Sequence, residues 1–278
     1  MSDDSKIKNV AEAVKGVFEA VPVYQDGLQP AVKQVGVALE TVTKTVNIAL
    51  APVSMLVWGY DQIKEFVNTK VSENLKNTPI EDIQSPKPNI AGPALEGLKY
   101  TGHDEKLREL FSNLLATSMD SITSALAYPS FVEIIKQMTS DEARLVKLFN
   151  KNRPLPLINL RFESNFSGVG GVDIFRNFSN LGEEAKCERV DMVPVYFDNL
   201  CRLGIIEIPP TFEYTAPGIY EPLENDPKVR DIIKRMESPD KNVIIDRKGI
   251  RITQLGGVFL NACVINHDTL RNKIVSRK

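Results

Sequence analysis

Between Lys44 and Asp61 the chain runs for sixteen residues without a charge, TVNIALAPVSMLVWGY. Crossing a bilayer takes about 20 predominantly apolar residues, and this run is shorter and interrupted by Asn47, Pro52 and Ser54. Two readings therefore stand: a buried core helix, or a segment that meets a membrane or a partner protein. Pro52 removes a backbone donor and crowds the preceding turn, so a long helix over 31–76 should kink there. Before the kink, Val32, Val35, Leu39, Val42 and Val46 form one stripe; after it, Leu56, Tyr60, Ile63, Val67 and Val71 form another. A kink lets the two halves present different faces. Met55, Leu56, Val57, Trp58 and Tyr60 are thus the candidate partner or membrane contacts, with Trp58 and Tyr60 as interfacial anchors.

Lys and Arg number 34 against 36 Asp and Glu, a net charge of −2, so a general nucleic-acid binder is not expected. The one basic stretch is Arg251 to Lys278, with five basic residues and the single acid Asp268; it reads as a solvated tail. Cys187, Cys201 and Cys263 are far apart, odd in number and without a CxxC pair. They read as reduced core thiols rather than a disulfide framework or zinc site. The polar, acidic start MSDDSKIKNV does not resemble a secretory leader, which places the expected compartment in the cytoplasm, with peripheral attachment to the inner membrane as an alternative.

Residues 4–21 carry a helical stripe of Ile7, Val10, Val14, Phe18 and Val21. Residues 77–93, with Pro79, Pro86, Pro88 and Pro93, read as an irregular connector. A helix over 103–119 follows, and Pro129 opens another. Thr139-Ser140-Asp141-Glu142 fits a capping box, in which the two end side chains satisfy each other's backbone N–H groups. The expected domain boundary lies just before it, giving a helical domain over 1–138 and a second domain over 139–278. The second domain reads as helix 140–151, an irregular region, helix 189–203, strand 205–208, a long insertion, strand 249–252 and helix 254–264. Pro194 favours a later start for the second helix, Gly204 should cap it in a left-handed turn, and Asp226-Pro227 should start a short helix in the insertion. The fold class expected is mainly α, with an N-terminal helical domain followed by an α+β winged-helix-like domain.

Ala51-Pro52, the connector Pro86–Pro93, Glu96–Tyr100, Leu107–Phe111, Leu114-Leu115-Ala116, Pro129–Gln137 and Asp141-Glu142-Ala143 occur in an order that resembles the abortive-infection alpha family of bacterial anti-phage proteins. Ile252–Gly256 with Phe259 and Cys263 extends the likeness. The resemblance implies phage defence by arrest or death of the infected cell and brings no set of catalytic residues. Where the family pattern often has histidine before the proline, this chain has Tyr128 ahead of Pro129.

Acid–base or nucleophilic chemistry finds little to work with. The two histidines are His103, at a helix start outside any HExxH pattern, and His267, in the basic tail and expected exposed. Gly168-Val169-Gly170-Gly171 lacks the spacing of a dinucleotide fingerprint and reads as a loop. Asp104, Glu105 and Glu109 suit the positive end of a helix dipole better than a metal site. In helix 189–203, Arg189 and Arg202 are offset by Glu188, Asp191 and Asp198, which argues against DNA reading. A non-enzymatic effector is expected, with no cofactor and no metal. Its partner would be a phage or host protein; a membrane surface, or a second copy of the chain, is the alternative. The rival functions are a membrane-disrupting toxin using 45–60 and a winged-helix nucleic-acid-binding regulator.

Overall fold

The computed structural model describes residues 57–151, 153–164, 171–236 and 241–276. Its elements are mainly helical, with a small antiparallel sheet. Two compact units emerge; of the described residues, the first takes 57–137 with 265–276, and the second takes 138–264.

The first unit opens with α1 (Tyr60–Phe66), which runs through a π-turn over Val67–Val71 into α2 (Ser72–Leu75). Its inward face is Ile63, Phe66, Val71 and Leu75. The wider π-turn shifts the register between α1 and α2; Val67, at its start, is only half-buried, and Tyr60, the first residue of α1, is exposed. The proline-rich connector is shorter than its composition suggests, because α3 (Pro88–Thr101) begins inside it. Pro88 suits the first helical turn, where no backbone donor is needed, and Pro93 is carried within the helix. Ile90, Ala91, Ala94 and Leu98 recur at helical spacing and are buried.

In α4 (Glu105–Met119) the cap is Asp104, whose carboxylate accepts the N–H groups of Lys106 at 2.9 Å and Leu107 at 3.2 Å. This gives Asp104 a capping role at the acidic helix start. Gly97 lets α3 approach α4 closely, since a Cβ there would lie 2.7 Å from Phe111 Cζ. Pro129 precedes α5 (Ser130–Lys136), which buries Phe131, Val132, Ile134 and Ile135.

The second unit starts at the expected capping box. Thr139 Oγ1 accepts the Glu142 N–H at 3.2 Å and Glu142 Oε2 accepts the Thr139 N–H at 2.6 Å, opening α6 (Ser140–Leu148). The region expected to be irregular after it contains β1 (Pro156–Ser164), β2 (Val172–Phe178) and the single turn α7 (Leu181–Glu184). Of the Gly168–Gly171 loop, residues 168–170 lie outside the described residues. Next come α8 (Val193–Arg202), with Pro194 in its first turn as its chemistry favours, and Gly204 with φ +72° closing it. The chain continues through β3 (Ile206–Glu207), α9 (Glu221–Glu224), α10 (Pro227–Met236), β4 (Lys241–Gly249), β5 (Arg251–Ile252) and α11 (Gln254–Phe259).

The main sheet has the order β2-β1-β4, entirely antiparallel, with Pro156 opposite Gly249 and Ser164 opposite Lys241. Side chains alternate across a strand. Ile158 and Leu160 therefore share one face, where they are buried with Phe178, Tyr220, Leu223 and Val229. β3 and β5 form a separate ladder of two pairs, Ile206 with Ile252 and Glu207 with Arg251.

The last helix, α12 (His267–Val275), joins the first unit rather than the second. The expected second domain thus ends at residue 264 instead of 278. Nor do these residues form a solvated tail: Asn266 caps the helix by accepting the Asp268 N–H at 3.0 Å, and His267, Leu270 and Arg271 are buried.

Candidate functional site

Of the five expected contact residues, Met55 and Leu56 lie outside the described residues. The other three divide. Val57 and Trp58 are half-buried, while Tyr60 is 48% exposed. The Trp58 N–H donates to the Lys99 carbonyl at 2.9 Å, which ties the segment before α1 to the end of α3. Its indole meets Phe66 edge-on, with centroids 5.7 Å apart and planes at 68°. The Arg108 guanidinium lies 5.3 Å from the Trp58 ring centroid and donates to the Gly102 carbonyl at 2.8 Å. Gly102 makes the seat: a Cβ there would lie 2.6 Å from Trp58 Cε3. Trp58 is therefore packed, and the outward aromatic group is Tyr60.

A second exposed tyrosine follows directly on Lys99. Tyr100 is 55% exposed, with Lys99 Nζ 5.5 Å from its ring centroid, as Lys64 Nζ is 5.9 Å from that of Tyr60. Tyrosine beside a cation offers a flat apolar face, a hydroxyl and charge in one place. Sequence reasoning missed Tyr100 and Arg108. The available signal was position: Tyr100 lies two residues beyond the buried Leu98, hence on the opposite side of α3.

Deeper in the first unit is an ionic cluster. Asp120 closes α4 and is 0% exposed, as is His267. A single oxygen, Asp120 Oδ2, takes His267 Nε2 at 3.0 Å and Arg271 Nη1 at 2.7 Å. The second arm of Arg271 reaches Asp82, and Asp120 Oδ1 accepts the Ile122 N–H at 2.9 Å. Thr78 Oγ1 stands 3.4 Å from His267 Nε2, while Nδ1 is buried without a hydrogen-bond partner among the described residues. The expectation of an exposed His267 is thus overturned: i,i+4 spacing puts His267 and Arg271 on one face of α12, and both meet Asp120 there. His103, by contrast, is exposed.

Asp141 is the corresponding node of the second unit. It accepts the N–H groups of Glu188 and Arg189, each at 2.9 Å, the Tyr196 hydroxyl at 3.1 Å and an Arg144 arm. Burial alone would raise this carboxyl. The two amides of Arg189 and Glu188, with Arg144 and Tyr196, outweigh burial and hold it below the usual carboxylate range. Burial, then Asp141 as acceptor, push the Tyr196 phenol up to about 12. Burial, then the Asp141 charge, push the Cys187 thiol to about 12 as well, so it stays protonated and a poor nucleophile. Burial likewise raises Cys263 well above its ordinary value. This node organises structure: it pins the 188–189 backbone and α8 to the start of α6.

Among the described residues no group of three or more His, Cys, Asp or Glu is placed to hold a metal ion, and no helix is long and apolar enough to cross a membrane.

No curated protein matches the chain. A solved structure, that of an uncharacterized protein from the hydrocarbon-degrading marine bacterium Alcanivorax borkumensis SK2, is similar at 23% identity. The alignment covers 51% of this chain and 96% of that one, with a TM-score of 0.35. The model of the family described as abortive infection alpha matches residues 59–263, from just before α1 into the π-turn Leu260–Val264 that follows α11. With well over half of its length matched in this way, the chain belongs to the abortive infection alpha family.

Proposed function

We propose that the protein acts in phage defence by abortive infection, in the cytoplasm, as a non-enzymatic effector that binds a phage or host protein. Membership of the family supports the defence role. The observation that carries the binding role is two exposed tyrosines, Tyr60 and Tyr100, each beside a lysine and each within two residues of a partner in the Trp58–Lys99 backbone bond. Aromatic residues of this kind dominate the energetics of protein interfaces because they bury large area at low entropic cost. The second unit, in this reading, is a winged-helix-like scaffold in which α6, α8, the β3–β5 ladder and α11 make the outline and the main sheet is built from its insertions. The outward residues of α8 include Val195, Asp198 and Arg202, one acid against one base, which favours protein contact or architecture over phosphate.

The test is protection of cells against phage by plasmid-borne variants. Tyr60→Asp and Tyr100→Asp should fold normally and lose protection. Trp58→Ala should instead lower stability by about 1–3 kcal/mol, because it empties the seat over Gly102. Full protection by both tyrosine variants would remove this surface from the mechanism. Dye leakage from anionic vesicles on adding the wild-type protein would point to a membrane target instead.

A further inference from the structure

We propose that α12 is a releasable clasp on the first unit, held shut while His267 is uncharged. The helix is fastened by polar groups more than by apolar area. Leu270 is its one fully enclosed apolar side chain, while His267, Arg271 and Asp268 make its side-chain bonds, the last accepting Asn77 Nδ2 at 2.6 Å. Buried ion pairs of this kind fix geometry strongly yet add little net stability, because desolvation offsets most of the attraction. A helix held in that way is bistable when one of its groups changes charge.

His267 is the group that can change. With Asp120 accepting at Nε2, the proton sits on Nε2 and Nδ1 is bare. A second proton would have to go on Nδ1, which is enclosed and has no acceptor among the described residues. The charged groups facing the ring are Asp120 at the end of α4 and Asp268 and Arg271 on α12, with Asp82 beyond Arg271. On α2 the acid is Glu73, which is exposed and pairs with Lys70. Burial pushes His267 below its ordinary value, and the Asp120 carboxylate opposes that with less effect. In the open form the ring is hydrated and takes up its proton near the ordinary value of about 6.5. The open form therefore binds more protons as the pH falls below that point, and closure, complete above it, weakens.

Hydrogen exchange on the full chain at about pH 7.5 and about pH 5.5, corrected for intrinsic rates, tests this directly. Residues 267–275 should exchange severalfold faster at the lower pH while α4 stays protected. His267→Gln, whose amide N–H can still donate to Asp120 but which cannot titrate, should hold the clasp equally at both. A proton NMR titration of the wild type gives a second readout, because the chain has only two histidines. The His267 signal should titrate below the ordinary histidine range, with α12 opening alongside it. Equal protection of α12 at both pH values overturns the proposal. So does a pH response that persists in His267→Gln, an α4 that opens together with α12, or a His267 that titrates at the ordinary value.

Discussion

Gly256 and Gly257 sit side by side in α11, and replacing each by alanine should move stability in opposite directions. A Cβ built on Gly256 would lie 2.9 Å from the carbonyl carbon of Ile205 and nearer still to its oxygen, whereas a Cβ on Gly257 meets nothing within 4 Å. Non-bonded carbon atoms rest about 3.5–4.0 Å apart, so the first substitution is short by at least ~0.6 Å. The atoms it meets are backbone, directly beside the β3–β5 ladder, and cannot rotate away as a side chain tip would. Relief requires α11 to lift from Ile205, straining the cap in which Thr253 Oγ1 accepts the Gly256 N–H at 2.8 Å. Overpacking of this kind costs about 1–3 kcal/mol. Gly257→Ala only restricts the unfolded chain and improves helix propensity, a gain of about 0.5–1 kcal/mol. Urea unfolding followed by circular dichroism should separate the two variants by roughly 1.5–4 kcal/mol, the sum of those two effects. Equal midpoints, or a stabilised Gly256→Ala, would refute the claim that α11 is seated on the Ile205 carbonyl.

Thr139→Ala should lower the stability of the second unit by about 1 kcal/mol, since it leaves the Glu142 N–H without its cap; thermal unfolding reads this, and a neutral result would mean the box is not needed. Asp141 sets the acid limit of the same unit. Its carboxyl is held below the ordinary value of about 3.9, so its contribution is complete above that value and is lost as the pH falls through the lower, folded one. The urea midpoint should therefore hold above about pH 4 and drop as the pH is lowered further, and Asp141→Asn should flatten that part of the profile; an unchanged slope would assign the acid sensitivity elsewhere.

Helices declared themselves where periodicity and capping agreed. The box at Thr139–Glu142, the buried Phe131, Ile134 and Ile135 after Pro129, and the Leu203–Gly204 stop are local signals, and each is where local chemistry puts it. The main sheet was harder. β1 does alternate, with Ile158, Leu160 and Phe162 against Asn159, Arg161 and Glu163, but Pro154 and Pro156 at its start and the glycines after it mask a strand as a loop. Its partner β4 begins 85 residues after β1 does, across α8 and the insertion helices, so nothing nearby indicates pairing. The candidate site was partly legible for the same reason. Trp58 and Tyr60 stand out in an uncharged run, but which of them faces outward depends on Gly102 and Arg108, more than forty residues away. His267 and Arg271 looked solvated because only Asp120 and Asp82, far upstream, make their burial tolerable.

The return of α12 to the first unit sets an order of assembly on the ribosome. A chain is made from its N-terminus, and domains generally fold as they emerge. Here the carboxylates of Asp82 and Asp120 are synthesised well before their cation, and all of residues 138–264 is made in between. The second unit can fold while the first still waits for His267 and Arg271. Until they arrive, Asp120 must stay hydrated, because enclosing a carboxylate without its partner costs several kcal/mol. The first unit is thus completed last, and a nascent chain halted anywhere before Arg271 carries an unfinished core at its N-terminal side.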